Sequence, residues 1–318
     1  MPSEKRCSDS DFIDIFEKHG AEKTASKLNV GVRRVYARRE VIERRIGRQL
    51  VSPTANGNNT RVGASHPHRL QIEIKNGTAI IGSDAHIWPG PPTTAMRAFV
   101  QFCKELKPRA IILNGDVLDA STISRHSPIG WESRPKLIDE IEAAQDQLHE
   151  IEKVTPKGCE RIWTLGNHDS RFETRIATVA PEFAKVAGVH LRDHFPCWSP
   201  CWSAWINNDV VVKHRFRSGV HAPWNNVINA GKSMVTGHLH SAKVTPFTDY
   251  SGTRWGVDGG CLADPEGKQF VDYTEDNPKN WRSAFAVLTF TGGKLLQPQL
   301  AIVHDENHVD FCGQLIKV

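Results

Sequence analysis

Five short polar clusters, each directly after an apolar run, hold residue types that commonly bind metal ions. They are Asp84-Ala85-His86, Gly115-Asp116-Val117-Leu118-Asp119, Gly166-Asn167-His168-Asp169, His214 and Gly237-His238-Leu239-His240. Carboxylates, imidazoles and an amide oxygen together suit two neighbouring divalent cations, with one carboxylate shared between them. The sequence therefore predicts a hydrolytic centre with two metal ions.

The apolar runs before these clusters predict the elements that position them. Each is strand-like, at residues 79–81, 111–113, 162–165, 210–212 and 234–235. Ligands of open α/β sheets gather at the carboxyl ends of strands, so five such ends would bring the clusters into one crevice. Helical stretches at about 93–106, 135–154 and 171–187 alternate with strands, which is typical of an α/β fold. Later strands are predicted at 285–290, 295–303 and 311–318.

In this order the clusters resemble the calcineurin-like metallophosphoesterase superfamily, from Asp84 to His240. The pattern is less similar to the Ser/Thr protein phosphatases, because Ala120-Ser121 replace their Arg-Gly and Asp169 replaces their Glu. It is more similar to the phosphodiesterase and Mre11/SbcD-type nuclease branches and to phage or prophage phosphoesterases. The resemblance implies two facing mixed β-sheets flanked by helices, a four-layer sandwich.

The resemblance also implies the metal ligands and the ions. One ion would be bound by Asp84, His86 and His240. The other would be bound by Asn167, His214 and His238, and the carboxylate of Asp116 would bridge the two ions. His221 competes for the place of His214, but His214 directly ends a β-branched run, as the other ligands do. Mn²⁺ is the expected ion, and Fe, Zn²⁺ and Mg²⁺ are alternatives.

The implied reaction is in-line attack on phosphorus by a hydroxide that bridges the two ions. His168 would protonate the leaving oxygen, and Asp119 would hold the charged form of that imidazole. Asp169 is a second candidate for the orienting role, and its structural alternative is to cap the helix that begins at Ser170-Arg171.

Residues beside the metal motifs are candidates for substrate contacts. Arg125, His126 and Arg171 would bind phosphate oxygens, although surface salt bridges are an equally good interpretation of the arginines. Residues 195–205 contain three tryptophans. Exposed indoles would stack bases, but we expect this segment to form a buried apolar cluster.

The net charge of +4 lies entirely in the first 50 residues. They contain 12 of the 40 Lys and Arg and 8 of the 36 Asp and Glu, and the remaining 28 basic and 28 acidic residues balance. Three helices are predicted there, the first capped by Ser8 or Ser10 and ended by Gly20. The second covers about 21–28 and the third about 32–48.

The join between the second and third helices resembles a helix-turn-helix, with Asn29 in the left-handed turn. The third helix would present Arg33, Arg34 and Arg38 to DNA, and protein contact is the alternative use of such a unit. Helix-turn-helix proteins often dimerise, so a dimer is one option for the oligomeric state.

The chain is thus expected to contain a helix-turn-helix domain at 1–50, a flexible linker at 51–68 and a catalytic domain at 69–318. The linker prediction rests on its lack of periodicity and its Gly, Asn, Ser and Pro content. A charged N-terminus, no long apolar run and seven scattered cysteines indicate a cytoplasmic protein with reduced thiols, in a bacterial cell or a phage-infected host.

Three functions are compatible with these features. The leading hypothesis is a metal-dependent phosphodiesterase that cleaves DNA and is delivered by the helix-turn-helix. The second is an enzyme for a small nucleotide or other small phosphoester, with the N-terminal domain used for protein contacts. The third, a DNA-binding regulator with a vestigial metal domain, is disfavoured because all the metal ligands are present.

Overall fold

The computed structural model describes residues 7–46, 50, 59–63, 66–126, 130–275 and 277–318. In chain order, its strands are β1 (Asn59–Val62), β2 (Arg69–Ile74), β3 (Gly77–Gly82), β4 (Ala110–Leu113), β5 (Glu160–Thr164), β6 (Ser199–Cys201), β7 (Ser203–Ile206), β8 (Val210–Val212), β9 (Ser233–Thr236), β10 (Lys243–Asp249), β11 (Gly252–Asp258), β12 (Ala284–Thr291), β13 (Lys294–Leu295), β14 (Gln299–Asp305), β15 (His308–Phe311) and β16 (Gln314–Lys317). The helices are α1 (Asp9–Leu28), α2 (Val32–Ile46), α3 (Thr94–Leu106), α4 (Leu137–Val154), α5 (Arg171–Val179), α6 (Leu191–His194), α7 (Ala222–Ala230) and α8 (Lys268–Thr274), and short 3-10 turns cover Ser121–Ile123 and Pro181–Phe183.

The strands form two mixed sheets. One has the order β1-β2-β7-β8-β9-β11-β10. The other has the order β16-β15-β14-β12-β3-β4-β5-β6, with β13 also paired to β12. In this second sheet β3, β4, β5 and β6 are mutually parallel, and β12 joins β3 in the antiparallel sense. The carboxyl ends of β3, β4 and β5 therefore meet at one edge.

Alternate residues of the central strands enter two separate cores. In β4, Ala110 and Ile112 lie in the core between the two sheets, while Ile111 and Leu113 lie in the core beneath α3 and α4. A strand covered on both faces is apolar throughout, which is why these runs are so easily recognised in the sequence. Because α7 covers the outer side of the other sheet, the layers are helix, sheet, sheet and helix. This confirms the predicted fold class.

Predicted boundaries differ from the structure for one helix, two strands and the linker. The helix expected over 171–187 ends at Val179, since Pro181 lacks the N–H that would continue it. The strand expected over 295–303 is split into β13 and β14, and the one expected over 311–318 contains the turn between β15 and β16. Residues 59–62, assigned to the linker, pair in register with β2 as an edge strand. Residues 51–58 and 64–65 of that linker lie outside the described residues.

The N-terminal helices follow the sequence signals closely. Ser8 caps α1 by accepting a hydrogen bond from the backbone N–H of Asp11 at 3.0 Å. Gly20 leaves helical geometry at φ 76°, which divides α1 in two, and Asn29 ends it in the left-handed region at φ 52°. Phe12, Phe16 and Val35 belong to a small core of their own. None of the helices in the described part of the chain has the length and apolarity needed to span a bilayer.

Candidate metal centre

The ends of five strands from both sheets bring the predicted ligands together. β3, β4 and β5 carry Asp84, Asp116 and Asn167, while β8 and β9 of the other sheet carry the histidines that follow them. The ligand atoms of Asp84, His86 and His240 lie within 4.8 Å of one another, as do those of Asp116, His214 and His238. Asp116 also groups with His86, which connects the two sets. The single-sheet crevice expected from the sequence is thus a junction of two sheets.

Each of the two carboxylates has one oxygen tied to the backbone and one directed at the cluster. The N–H of His238 donates to Asp84 Oδ2, and the N–H of His168 donates to Asp116 Oδ1, both at 2.8 Å. The opposite oxygens lie 3.0 Å from imidazole nitrogens, Asp84 Oδ1 from His240 Nε2 and Asp116 Oδ2 from His214 Nε2. One oxygen of each carboxylate is therefore positioned to bind a cation.

Four buried polar atoms of the predicted ligands make no hydrogen bond in the described ranges: His86 Nε2, Asn167 Oδ1, His240 Nδ1 and His214 Nε2, the last with only its ion-pair contact to Asp116 Oδ2. A buried polar atom left unsatisfied costs about 1–3 kcal/mol. Four of them in one cluster indicate a missing ligand that accepts lone pairs. Imidazole nitrogens, an amide oxygen and carboxylates form a donor set that fits Mn²⁺, Fe or Zn²⁺. The residues present therefore fit the implied pair of divalent ions.

A second contact on two of the ligating histidines, His214 and His86, fixes which nitrogen faces the cluster. His214 Nδ1 lies 2.7 Å from the carbonyl oxygen of Asn114, and His86 Nδ1 lies 3.1 Å from Asp119 Oδ1. Nδ1 donates in both cases, which leaves the Nε2 lone pair for a metal. His214 is buried in this position, whereas its competitor His221 is exposed at the start of α7.

Asp119 contacts His168 as the sequence predicts, and it contacts a metal ligand as well. His168 Nδ1 lies 2.8 Å from the carbonyl oxygen of Asp119 and 3.2 Å from its Oδ1. The same Oδ1 bonds to His86. One carboxylate therefore orients the candidate general acid and a metal ligand together.

Asp169 has neither of the two roles predicted for it. Its buried carboxylate accepts hydrogen bonds from the N–H groups of Asp116, Val117 and Gly166 at 2.8–3.0 Å and from Trp163 Nε1 at 3.0 Å. It does not cap α5, whose N-cap is Ser170. Asp169 instead ties the Asp116 loop to the Gly166 loop and so holds the two metal motifs together.

Strained backbone is concentrated at the ligands. Asp84, His86, Asp116, His238 and His240 all have positive φ, between 39° and 71°. For residues other than glycine this region is sparsely populated, and it costs on the order of 1–3 kcal/mol when the surroundings impose it. Such strain at five ligands agrees with a site shaped for function.

Glycines make the close approach of the motifs possible. A side chain at Gly166 would collide with the carboxylate of Asp116, and one at Gly237 would collide with that of Asp84. Gly115 has φ 82°, and a Cβ there would meet the ring of His214. The glycine of each motif thus leaves space for a ligand from another.

Charge and burial shift the pKa values of the cluster in both directions. Burial raises the pKa of Asp116, but the neighbouring His214 outweighs this and holds that pKa below its ordinary value. Burial lowers the pKa of His214, but Asp116 and Asp84 raise it to about 10. For His168, burial is outweighed by Asp119 and Asp116, so its pKa is raised. Without metal, the site thus favours ionised Asp116 beside protonated His214, and metal binding must release the proton of His214. Burial lowers the pKa of the ligands His86 and His238, which favours their neutral, metal-binding form.

Five of the seven predicted ligands line a pocket of about 430 Å³ with an aromatic wall: His86, Asp116, Asn167, His238 and His240. Phe270 and Trp281 form this wall, with ring centroids 5.0 Å apart. Sequence reasoning missed both, since neither lies near a motif. The segment 195–205 contributes no indole here. Phe195 and Trp198 are buried in the core beneath the helices, as expected, whereas Trp202 is exposed and Trp205 is half-buried, so the expected apolar cluster covers only part of the segment.

The predicted substrate residues separate into two groups. Arg171 and His126 line the metal pocket, and Arg171 Nη2 lies 3.2 Å from His168 Nε2. Arg125 does not reach this pocket and lines an adjoining groove. Glu132 and Arg134, which the sequence analysis did not single out, form a bidentate ion pair in the pocket wall.

The three arginines predicted to contact DNA differ in solvent exposure. Arg33 and Arg34 are exposed on α2. Arg38 faces α1 instead, with Nη2 3.0 Å from Asp9 Oδ1 and its guanidinium 4.9 Å from the Phe12 ring centroid. An acidic and an aromatic neighbour thus already engage the charge of Arg38, and its contact with DNA stays a prediction.

No family model matches this chain. The gene 54 protein of Mycobacterium phage L5 is 23% identical to it over 260 residues, which cover 73% of this chain and 96% of that protein. Among solved structures, Vps29 from Entamoeba histolytica complexed with zinc matches 76% of this chain and 98% of its own, with a TM-score of 0.39 and 10% identity. The Escherichia coli phosphoesterase YfcE matches 76% and 99%, with a TM-score of 0.34 and 15% identity. TM-scores below 0.5 leave the chemistry of this chain to be argued from its own residues.

Proposed function

We propose that this chain is a binuclear metal-dependent phosphodiesterase that cleaves DNA. The observation that carries the proposal is the pair of ligand sets joined at Asp116, with buried ligand atoms that lack a partner. When bound, two divalent ions neutralise charge on phosphoryl oxygens and acidify a water molecule. The ions would be held by Asp84, His86 and His240, by Asn167, His214 and His238, and by Asp116 between them.

His168 holds the proton for the leaving oxygen. Its imidazole lines the pocket beside Asp116, and its Nδ1 is fixed by Asp119, so that Nε2 is left to face the substrate. Arg171 has Nη2 3.2 Å from that nitrogen and donates from Nη1 to the carbonyl oxygen of Asp119 at 2.8 Å, so it places positive charge beside the point of proton transfer. Asp119 acts through His168 and His86 and is a positioning residue.

A smaller substrate is the second candidate. The aromatic wall of Phe270 and Trp281 and the pocket volume of about 430 Å³ suit a single nucleotide or another small phosphoester. The N-terminal helices would then serve protein contacts. DNA is preferred because two groups of arginines suit a polyanion. One is the exposed pair Arg33 and Arg34 on α2, and the other lies beside the metal pocket.

The test is Mn²⁺-dependent cleavage of end-labelled single- and double-stranded DNA, beside hydrolysis of bis-p-nitrophenyl phosphate. We expect His168→Ala to lower the rate of DNA cleavage by about 10²–10⁴-fold, as loss of a general acid does. Nitrophenolate leaves without much protonation, so the small diester should lose far less. The exposed His221→Ala variant should behave like the unaltered protein.

The two substrates separate the candidates. Turnover of the small diester without any cleavage of DNA would support the small-phosphoester candidate and remove nucleic acid as the substrate. If neither substrate is hydrolysed with Mn²⁺, Fe, Zn²⁺ or Mg²⁺, the phosphodiesterase proposal fails. An equal loss with both substrates in His168→Ala would contradict the role in leaving-group protonation.

A further inference from the structure

A groove lined with arginines opens from the metal pocket. Its volume is about 370 Å³. Five residues line both spaces: Ser124, His126, Asn167, Arg171 and His238. Because Asn167 and His238 are predicted metal ligands, the groove begins at the metal centre and leads away from it.

Three chain segments each supply arginine to this groove. Arg125 follows the 3-10 turn after the Asp116 motif, and Arg215 directly follows His214. Arg171 and Arg175 lie on α5 with Thr174 and Thr178, at the spacing of one helical face. The arginines therefore converge from separate elements, all close in sequence to metal motifs.

The positive charge of the groove is not compensated. Arg125, Arg175 and Arg215 are exposed and make no hydrogen bond or ion pair with any residue that the structure describes. No aspartate or glutamate lines the groove within the described ranges. By contrast, Arg134 in the adjoining metal pocket is paired with Glu132. Like charges gathered without counter-charges repel one another, which a bound polyanion would relieve.

We propose that this groove binds the backbone phosphates of a single-stranded polynucleotide, next to the phosphate held at the metal centre. The proposal rests on the proposed function for the place of cleavage. Guanidinium forks bind phosphate oxygens through paired hydrogen bonds. The pocket wall also contains the half-buried indole of Trp281, which is backed by the buried ring of Phe270, and stacking on this indole requires an unpaired base. The substrate is therefore a strand of several nucleotides, not a mononucleotide.

The double variant Arg175→Gln/Arg215→Gln tests this in the full-length chain. The substrates are a single-stranded oligodeoxynucleotide of about 12 nucleotides, within the range of known strand-binding sites, and bis-p-nitrophenyl phosphate. We expect the ratio of the two kcat/KM values, oligonucleotide over diester, to fall at least about fivefold at low salt. The slope of log kcat/KM for the oligonucleotide against log salt should become shallower by about 1.4, at about 0.7 for each lost phosphate contact. Lys185→Gln removes an exposed charge outside the groove and should change neither quantity.

The outcomes distinguish this proposal from the proposed function. An unchanged ratio and slope, or equal losses on both substrates, would overturn the groove while leaving the phosphodiesterase in place. A duplex of the same sequence with equal kcat/KM and equal sensitivity to the variant would overturn the single-strand assignment. If the unaltered protein hydrolyses nothing, fluorescence anisotropy of the labelled oligonucleotide in EDTA decides. Weaker binding with a shallower salt slope in the double variant would then support the groove, and identical binding would reject it.

Discussion

In the metal centre, buried polar atoms such as His86 Nε2 lack a partner, whereas on helix α2 a partly exposed charge such as that of Arg38 has two neighbours that satisfy it. The same contrast holds further along α2, where Arg39 pairs with Glu43 and Arg45 pairs with Asp9. Both regions contain the residue types expected for phosphate binding. Residue type shows what a side chain can bind, but only its surroundings show whether that capacity is still free.

The two regions also differ in the contacts that hold their side chains in place. A metal ligand without a partner must be held by its other atoms, and here Asp119, Asp169 and backbone N–H groups do so. A surface ion pair holds little, since exposed pairs contribute about 0–1 kcal/mol. Changes to the scaffold of the metal centre should therefore have large effects, and changes on α2 small ones.

The largest effect is expected from Asp169→Asn. The amide has one acceptor oxygen in place of two, and its NH₂ group would face the N–H donors of Asp116, Val117 or Gly166. Each donor left unsatisfied costs about 1–3 kcal/mol. We expect the free energy of unfolding to fall by about 3 kcal/mol and Mn²⁺ affinity to fall about 10–100-fold, as for second contacts of metal ligands.

Urea denaturation and calorimetric Mn²⁺ titration measure the two quantities for Asp169→Asn. The matched control is Asp146→Asn on the exposed side of α4, which should alter neither. If Mn²⁺ affinity in Asp169→Asn equals that of the unaltered chain, the tether between the two loops does not position the ligands. The metal centre would then not depend on its scaffold more than α2 does.

Glu140 gives the next largest effect, as a buried carboxylate that binds no metal. Burial raises its pKa to about 7, against hydrogen bonds from Ala120 and Ser121 that lower it. The folded protein therefore keeps a proton that the unfolded chain releases near pH 4.5. The stabilisation from this proton is complete below pH 4.5 and is lost as pH rises through about 7, which amounts to about 3 kcal/mol.

Glu140→Gln should remove this pH dependence, because the amide stays neutral and keeps an oxygen for the N–H of Ala120. In urea denaturation with EDTA, we expect the variant to be about 3 kcal/mol more stable than the unaltered chain at pH 8. At pH 4 the two should be similar. The exposed Glu142→Gln on the same helix is the control. A parallel pH dependence in both chains would show that Glu140 is ionised in the fold without cost.

The metal ligands could be predicted from sequence because each directly follows a strand that is apolar on both faces. Strand ends are local signals, so the sequence favours His214 over His221 without information on contacts. The structure places His214 in the cluster. Phe270 and Trp281 could not be found this way. They reach the pocket through the path of the chain between β11 and β12, and no periodic pattern marks them.

Pairing partners are the second kind of information that the sequence lacks. Strand β1 lies in a segment whose Asn and Gly content is typical of a linker, and only its register with β2 makes it a strand. Arg38 has the same limitation, because its partner Asp9 is 29 residues earlier in the chain and helical spacing on α2 alone does not show it. By the same reasoning, the unpaired state of Arg175 and Arg215 could not be read from the sequence.

The smallest effect is expected from substitutions on α2, whose exposed charges are held by surface contacts. Arg38→Gln removes a half-exposed ion pair and a cation–π contact, so the free energy of unfolding should fall by at most about 1 kcal/mol. Binding of a labelled DNA duplex, followed by fluorescence anisotropy across salt concentrations, should stay within about twofold of the unaltered chain, since this charge is already engaged.

Arg33 is exposed and makes no ion pair with the part of the chain that the structure describes, so Arg33→Gln should weaken binding and make the salt slope shallower by about 0.9. Equal losses in the two variants would mean that the number of arginines on α2, and not their freedom from neighbours, decides how this helix meets DNA.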